Sequence, residues 1–133
     1  MKRCPCQSNK YYKDCCQPYH NGQKNPRHAQ DLMRSRYCAY ALNLSKYIID
    51  TTHEENPYYH KNLNKWIEEI ADFSQNSQFL DLKILEINEG DTEAFVTFKA
   101  IIHQNNRDVS FTEKSRFLKC KGRWLYRSGE ILV

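Results

Sequence analysis

The hydrophobic periodicity of this chain changes once, and that change constrains the fold more than any other feature. From residue 31 to residue 73 apolar side chains recur every three or four positions; from residue 79 onward they alternate. The first spacing lines one face of a helix and the second lines one face of a strand. Leu32, Met33, Tyr37, Tyr40, Ala41, Leu44, Tyr47 and Ile48 predict one helix over 31–50, with Asp31 as its N-cap or first-turn acid. Thr51 and Thr52 weaken its end, and residues 53–57 read as a turn. Leu63, Trp66, Ile67, Ile70 and Phe73 predict a second helix over 57–73, ended by the polar run 74–77.

Alternation then predicts strands over 79–88, 93–104, 107–119 and 123–128. Glu89-Gly90-Asp91, Asn105-Asn106 and Lys121-Gly122 have hairpin-turn composition. Consecutive strands on such short links form an antiparallel meander. Helices first and strands afterwards imply an α+β fold: one curved antiparallel sheet with its helices packed on one face. A chain of 133 residues can bury a core of this kind as one domain. No window of about 18 apolar residues is present, so no transmembrane helix is expected. The N-terminus runs into polar residues rather than an apolar signal region, which predicts a reducing, cytoplasmic location.

Four of the six cysteines crowd into the first sixteen residues, as Cys4-x-Cys6 and Cys15-Cys16. A loop this short and polar cannot be held by apolar burial. Reduced thiols in this pattern point to metal or redox chemistry, with zinc on Cys4, Cys6, Cys15 and Cys16 as the leading reading. A disulfide pair and a redox-active or other metal site are the alternatives. His20 is a spare ligand or an exposed linker histidine, and Cys38 and Cys120 read as small core residues. Residues 1–28 carry six Lys/Arg against the single acid Asp14. That excess serves either to balance a thiolate site or to form a basic patch for nucleic acid or an acidic partner. Residues 18–30, with two prolines and a glycine, read as a linker between a 1–17 metal loop and a 31–133 domain.

Cys4-Pro5-Cys6-x-Ser8, Tyr12 and Lys13-Asp14-Cys15-Cys16 resemble the SEC-C zinc motif, named for the zinc tail of the preprotein translocase ATPase. The motif often has Gly-Ser-Gly where this chain has Gln7-Ser8-Asn9. The run 32–40, the run 47–53, Glu113-Lys114-Ser115-Arg116-Phe117 and Trp124-Leu125-Tyr126 extend the resemblance to the YchJ family across nearly the whole chain. The resemblance implies a SEC-C motif followed by a cystatin-like domain similar to nuclear transport factor 2. It also implies a zinc-dependent protein-interaction role. Many members carry a second SEC-C motif at the C-terminus, and residues 1–133 contain one such motif. The resemblance implies a fold and a metal rather than a reaction, and no catalytic residue is assigned.

The fold would form a cone, a usual ligand site. Alternation puts Phe111, Glu113, Ser115 and Phe117 on one strand face, with Arg116 pointing outward. If that face is inward, Glu113 needs a partner. Arg34 and Arg36 are the expected ones, with Tyr40, His53 and Tyr126 in reach. Two readings stand: a pocket with a His53–Glu113 acid–base pair, or a polar network that fixes helix against sheet. The functional expectations are therefore a zinc-loop module for a protein partner, a small-ligand binder or enzyme using the cone, or nucleic-acid binding through residues 1–28. Pairing of two copies through the sheet is a further expectation.

Overall fold

The computed structural model describes residues 1–60 and 62–133. Among the described residues four α-helices, α1 (Gln17–His20), α2 (Ala29–Leu42), α3 (Ser45–Asp50) and α4 (Leu63–Gln75), precede five strands. The strands are β1 (Gln78–Glu89), β2 (Glu93–Gln104), β3 (Arg107–Asp108), β4 (Phe111–Cys120) and β5 (Arg123–Leu132). They form one antiparallel sheet in the order β1-β2-β4-β5, with β3 paired to β2. The α+β architecture follows the periodicity. Inward residues of β2 (Ala94, Val96, Phe98, Ala100 and Ile102) meet Leu32, Met33 and Tyr37 of α2 across the core. Burying each large side chain of this set stabilises the fold by about 1.5–3 kcal/mol. No described helix is long and apolar enough to cross a membrane.

Three expectations are corrected. The predicted 31–50 helix is two helices. At Asn43 the backbone turns left-handed, with φ 57°. Leu44 N–H reaches Ala39 O at 2.8 Å and Asn43 N–H reaches Tyr40 O at 3.3 Å, a Schellman closure. Asn tolerates this conformation, so the apolar spacing continues while the axis changes. The predicted 57–73 helix is a 3-10 turn (Pro57–His60) followed by α4; Lys61 lies outside the described residues. Asn62 caps α4, its side chain accepting from Lys65 N–H at 3.1 Å. The predicted 107–119 strand breaks at Val109 and Ser110. Ser110 Oγ accepts the Ile102 N–H at 3.0 Å, replacing a ladder bond.

Two hairpins close as expected. Asn105 and Asn106 both have positive φ, as do Lys121 and Gly122, the signature of type I′ turns. The edge of β5 is covered by the segment after α3. His53 N–H donates to Tyr126 O and Tyr126 N–H donates to Thr51 O, both at 2.8 Å.

The central element is α2, buried around most of its circumference. The sheet covers one side, α4 another, and the cysteine loop a third. Its first turn is capped from a distance. Glu89, at the end of β1, accepts Ala29 N–H at 2.8 Å and bonds His28 Nδ1 at 2.9 Å. Asp31 lies within the first turn and His28 is the N-cap residue, with no side-chain cap of its own.

Candidate metal centre and cavity

Residues 2–12 fold back on themselves. Tyr12 N–H donates to Lys2 O at 3.0 Å and Cys4 N–H to Lys10 O at 2.7 Å. Arg3 Nη1 donates to Asn9 O at 3.0 Å and its guanidinium lies 4.4 Å from the centre of the Tyr11 ring. Two residues of the tight loop, Gln7 and Asn9, have φ 68°. These are the two positions where the SEC-C motif often has glycine, because the loop demands a left-handed backbone that glycine adopts without strain.

The fold-back brings four sulfurs together. The Sγ atoms of Cys4, Cys6, Cys15 and Cys16 all lie within 4.8 Å of one another. Cys6 and Cys15 are 3.5 Å apart and Cys15 and Cys16 4.0 Å. A tetrahedral zinc with ligands at about 2.3 Å would space its sulfurs by about 3.8 Å. The donor set and its spacing therefore fit a tetrahedral ion held by thiolates. All six thiols are free.

The crowded thiols perturb one another's ionisation. Hydrogen bonds from Cys16, Cys38 and Cys6 hold the Cys4 thiol far below its ordinary value. Cys15 and Cys16 move the opposite way. Burial, with the charge of Cys6, pushes Cys15 up to about 11. Sharing with Cys38, Cys4 and Cys6 and burial push Cys16 far up. These thiols share their protons through the sulfur contacts, so ionisation of one opposes ionisation of its neighbours. A cation among four such sulfurs would favour their thiolate forms.

The loop is seated on the helical layer rather than tethered to it. The stretch expected as a linker starts with α1, and its His20 is a clamp. Nε2–H donates to Ser35 O at 2.8 Å, so Nδ1 is the acceptor and Tyr12 O–H donates to it at 2.8 Å. Burial pushes His20 below its ordinary value, in keeping with this neutral form. Burial, with the charges of Cys38, Cys16 and Cys4, pushes the Tyr12 hydroxyl up to about 12, which keeps it a donor. Arg34, expected beside Glu113, instead donates Nη1–H to Cys6 O at 3.0 Å.

Cys38, read from sequence as a plain core residue, stands at the cluster, its Sγ 3.8 Å from that of Cys4. With Cys16 and His20 it forms a second group close enough to share an ion. The available signal was its spacing: Cys38 follows Arg34 by four residues and so shares a helix face with it. Cys120 stays away, at the end of β4.

A cavity of about 620 Å³ lies between α2, α4 and the concave face of the sheet. Phe111, Glu113, Ser115 and Phe117 all line it, with Arg36, Tyr40 and Tyr126. Glu113 Oε2 accepts from Ser115 Oγ–H and, at 3.0 Å, from Tyr126 O–H. Burial, with the charge of Glu113, raises the Tyr126 hydroxyl well above its ordinary range. Arg36 is committed elsewhere. Its Nη1 donates to Ile48 O, Thr51 Oγ1 and Thr52 Oγ1 at 2.8–3.1 Å, and its guanidinium stacks 4.5 Å from the Tyr126 ring centre.

His53 does not line this cavity, which removes the acid–base pair from the two readings of the pocket. Side chains alternate along the extended segment paired to β5. Thr52 therefore faces the cavity and His53 the opposite side. There Nδ1 of His53 accepts the Glu55 N–H at 3.0 Å.

Residues 28–129 match the family described as YchJ, middle NTF2-like domain. A UPF0225 protein of Haemophilus influenzae is 37% identical over 127 residues, covering 95% of this chain and 76% of the relative. One of Vibrio parahaemolyticus is 34% identical over 128 residues, covering 95% and 73%. The solution structure of a SEC-C motif containing protein from Rhodopseudomonas palustris superposes with a TM-score of 0.85 at 33% identity, covering 98% of each chain. A crystal structure of a SEC-C motif containing protein from Psychrobacter arcticus superposes with a TM-score of 0.81 at 25% identity, covering 100% of this chain and 84% of that one.

Proposed function

The chain belongs to the UPF0225 (YchJ) family, and from that premise we propose that it is a zinc-binding protein whose metal loop is a docking element for an acidic segment of another protein. The observation that carries the reading is the convergence of Cys4, Cys6, Cys15 and Cys16 within 4.8 Å. The ion would set the loop's shape, because little apolar burial is available to do so. Lys2, Arg3, Lys10 and Lys13 are exposed on the loop itself, and Lys24 and Arg27 are exposed or half-buried in the segment that follows, which favours an acidic partner.

The same six cations support a second reading, single-stranded or duplex nucleic acid bound through its phosphates. The two differ in their response to salt. Nucleic-acid affinity falls steeply and linearly on a logarithmic salt scale. The test is titration of the metal-loaded protein with a poly-glutamate peptide and with an oligonucleotide, each at rising salt, in the native chain and Cys16→Ser. The protein reading expects peptide binding that is lost with the metal and exceeds oligonucleotide binding at moderate salt. Peptide binding unchanged in metal-free Cys16→Ser would contradict it.

A further inference from the structure

Inside the cone stands an acid that the protein itself partners on one side only. Both hydroxyl donors, Ser115 and Tyr126, go to Oε2 of Glu113; Oε1 has no hydrogen-bond partner and the carboxylate no ion pair among the described residues. The nearest conspicuous cation, Arg36, is held by the two threonines and Ile48 O and lies against the Tyr126 ring. The chain makes room for this arrangement. A side chain at Gly129 would overlap both the Glu113 carboxylate and the Tyr126 hydroxyl. Around the acid the walls are mostly apolar and aromatic, including Trp66, Ile70, Phe73, Phe98 and Phe111, and a second carboxylate in the lining, Glu69, is exposed. The volume, about 620 Å³, falls in the range of drug-sized ligand sites.

We propose that this cavity binds an amphipathic organic amine, its apolar body against the aromatic walls and its ammonium donating to Oε1 of Glu113. A carboxylate with a free oxygen in an apolar chamber favours a donor, and a charged donor above a neutral one. Aromatic faces add to that preference, because their negative quadrupoles attract cations. A carboxylic acid in the same place would meet like charge. The site is separate from the cysteine centre, so the two readings stand or fall independently.

The probes are tryptamine, tryptophol and indoleacetate, which share one apolar body and differ in the head group. The full zinc-loaded chain is titrated with each, following the methyl resonances of Met33 and Ile70 on the cavity wall. Tryptamine is expected to bind about tenfold or more tighter than tryptophol, with indoleacetate weakest. Glu113→Gln should bring tryptamine down to the tryptophol level, leave tryptophol within about twofold, and leave the zinc content unchanged. Equal affinities for the three heads, a preference for the acid, or no wall shifts with any probe would overturn the proposal. Should Glu113→Gln unfold, the wild-type series decides by itself.

Discussion

The Sγ atoms of Cys4 and Cys38 lie 3.8 Å apart although 34 residues separate them in the chain. One belongs to the N-terminal cysteine loop and the other to α2, the helix buried at the centre of the fold. The cysteine centre is thus packed into the domain, with Arg34 and His20 fixing its other sides. Cys38 is adjacent to the four-sulfur site but is not one of the four sulfurs that all lie within 4.8 Å of one another.

That placement predicts a split between neighbouring cysteines. Cys38→Ala should retain the bound metal and lose about 1 kcal/mol of stability to the small cavity it leaves. Cys16→Ser should lose the metal. Metal content by mass spectrometry, with denaturant unfolding, checks both; metal loss in Cys38→Ala would make Cys38 a ligand.

His20 joins the loop to α2 through Tyr12 and Ser35. Removing its ring takes the acceptor from the part-buried Tyr12 hydroxyl and the second donor from Ser35 O, which keeps its helix bond, at about 1 kcal/mol for each hydrogen bond lost. His20→Ala should therefore speed amide exchange across residues 1–20 and leave the β2 and β4 amides protected. Hydrogen exchange read by mass spectrometry distinguishes this local loosening from global unfolding.

Gln7 and Asn9 hold left-handed backbone without being glycine. Such a conformation costs a non-glycine residue about 1–2 kcal/mol. Gln7→Gly should therefore strengthen metal retention against a competing chelator, while Gln7→Val should weaken it. Equal retention in both variants would show that the loop's backbone is not what limits the site.

Glu89 supplies the first turn of α2 with an acceptor from β1. Glu89→Ala should cost about 1 kcal/mol at neutral pH, the usual worth of a cap. Burial opposes ionisation of Glu89, but the His28 and Ala29 hydrogen bonds outweigh it and hold the carboxyl below its ordinary range. A depressed carboxyl stabilises the fold fully above the ordinary carboxylate range and loses that contribution as pH falls through its folded value. The difference between wild type and Glu89→Ala, measured by denaturant midpoint, should shrink on acidification.

Much of this architecture was legible in the residues. The bounds of β2, the two type I′ hairpins and the inward face of Phe111, Glu113, Ser115 and Phe117 follow from alternation and turn chemistry, which are local. The four-cysteine cluster was legible because its spacing leaves little else to hold the loop. What was hidden depends on contacts distant in sequence. Nothing near Ala29 announces that its cap comes from Glu89, and nothing in the helical spacing announces the left-handed Asn43. Arg34 and His53 were misplaced for the same reason. Residue type says that an arginine or histidine needs partners, while helix face and strand alternation decide which ones it meets.

The most direct test of the account is the metal itself. The native chain, purified under reducing conditions without added metal, is assayed for zinc beside Cys4→Ser, Cys6→Ser, Cys15→Ser and Cys16→Ser. The account predicts one zinc per chain in the native protein and its loss in each of the four variants. A native protein without zinc whose residues 1–20 are still protected from exchange would contradict it, as would zinc kept at full occupancy when any of the four sulfurs is removed.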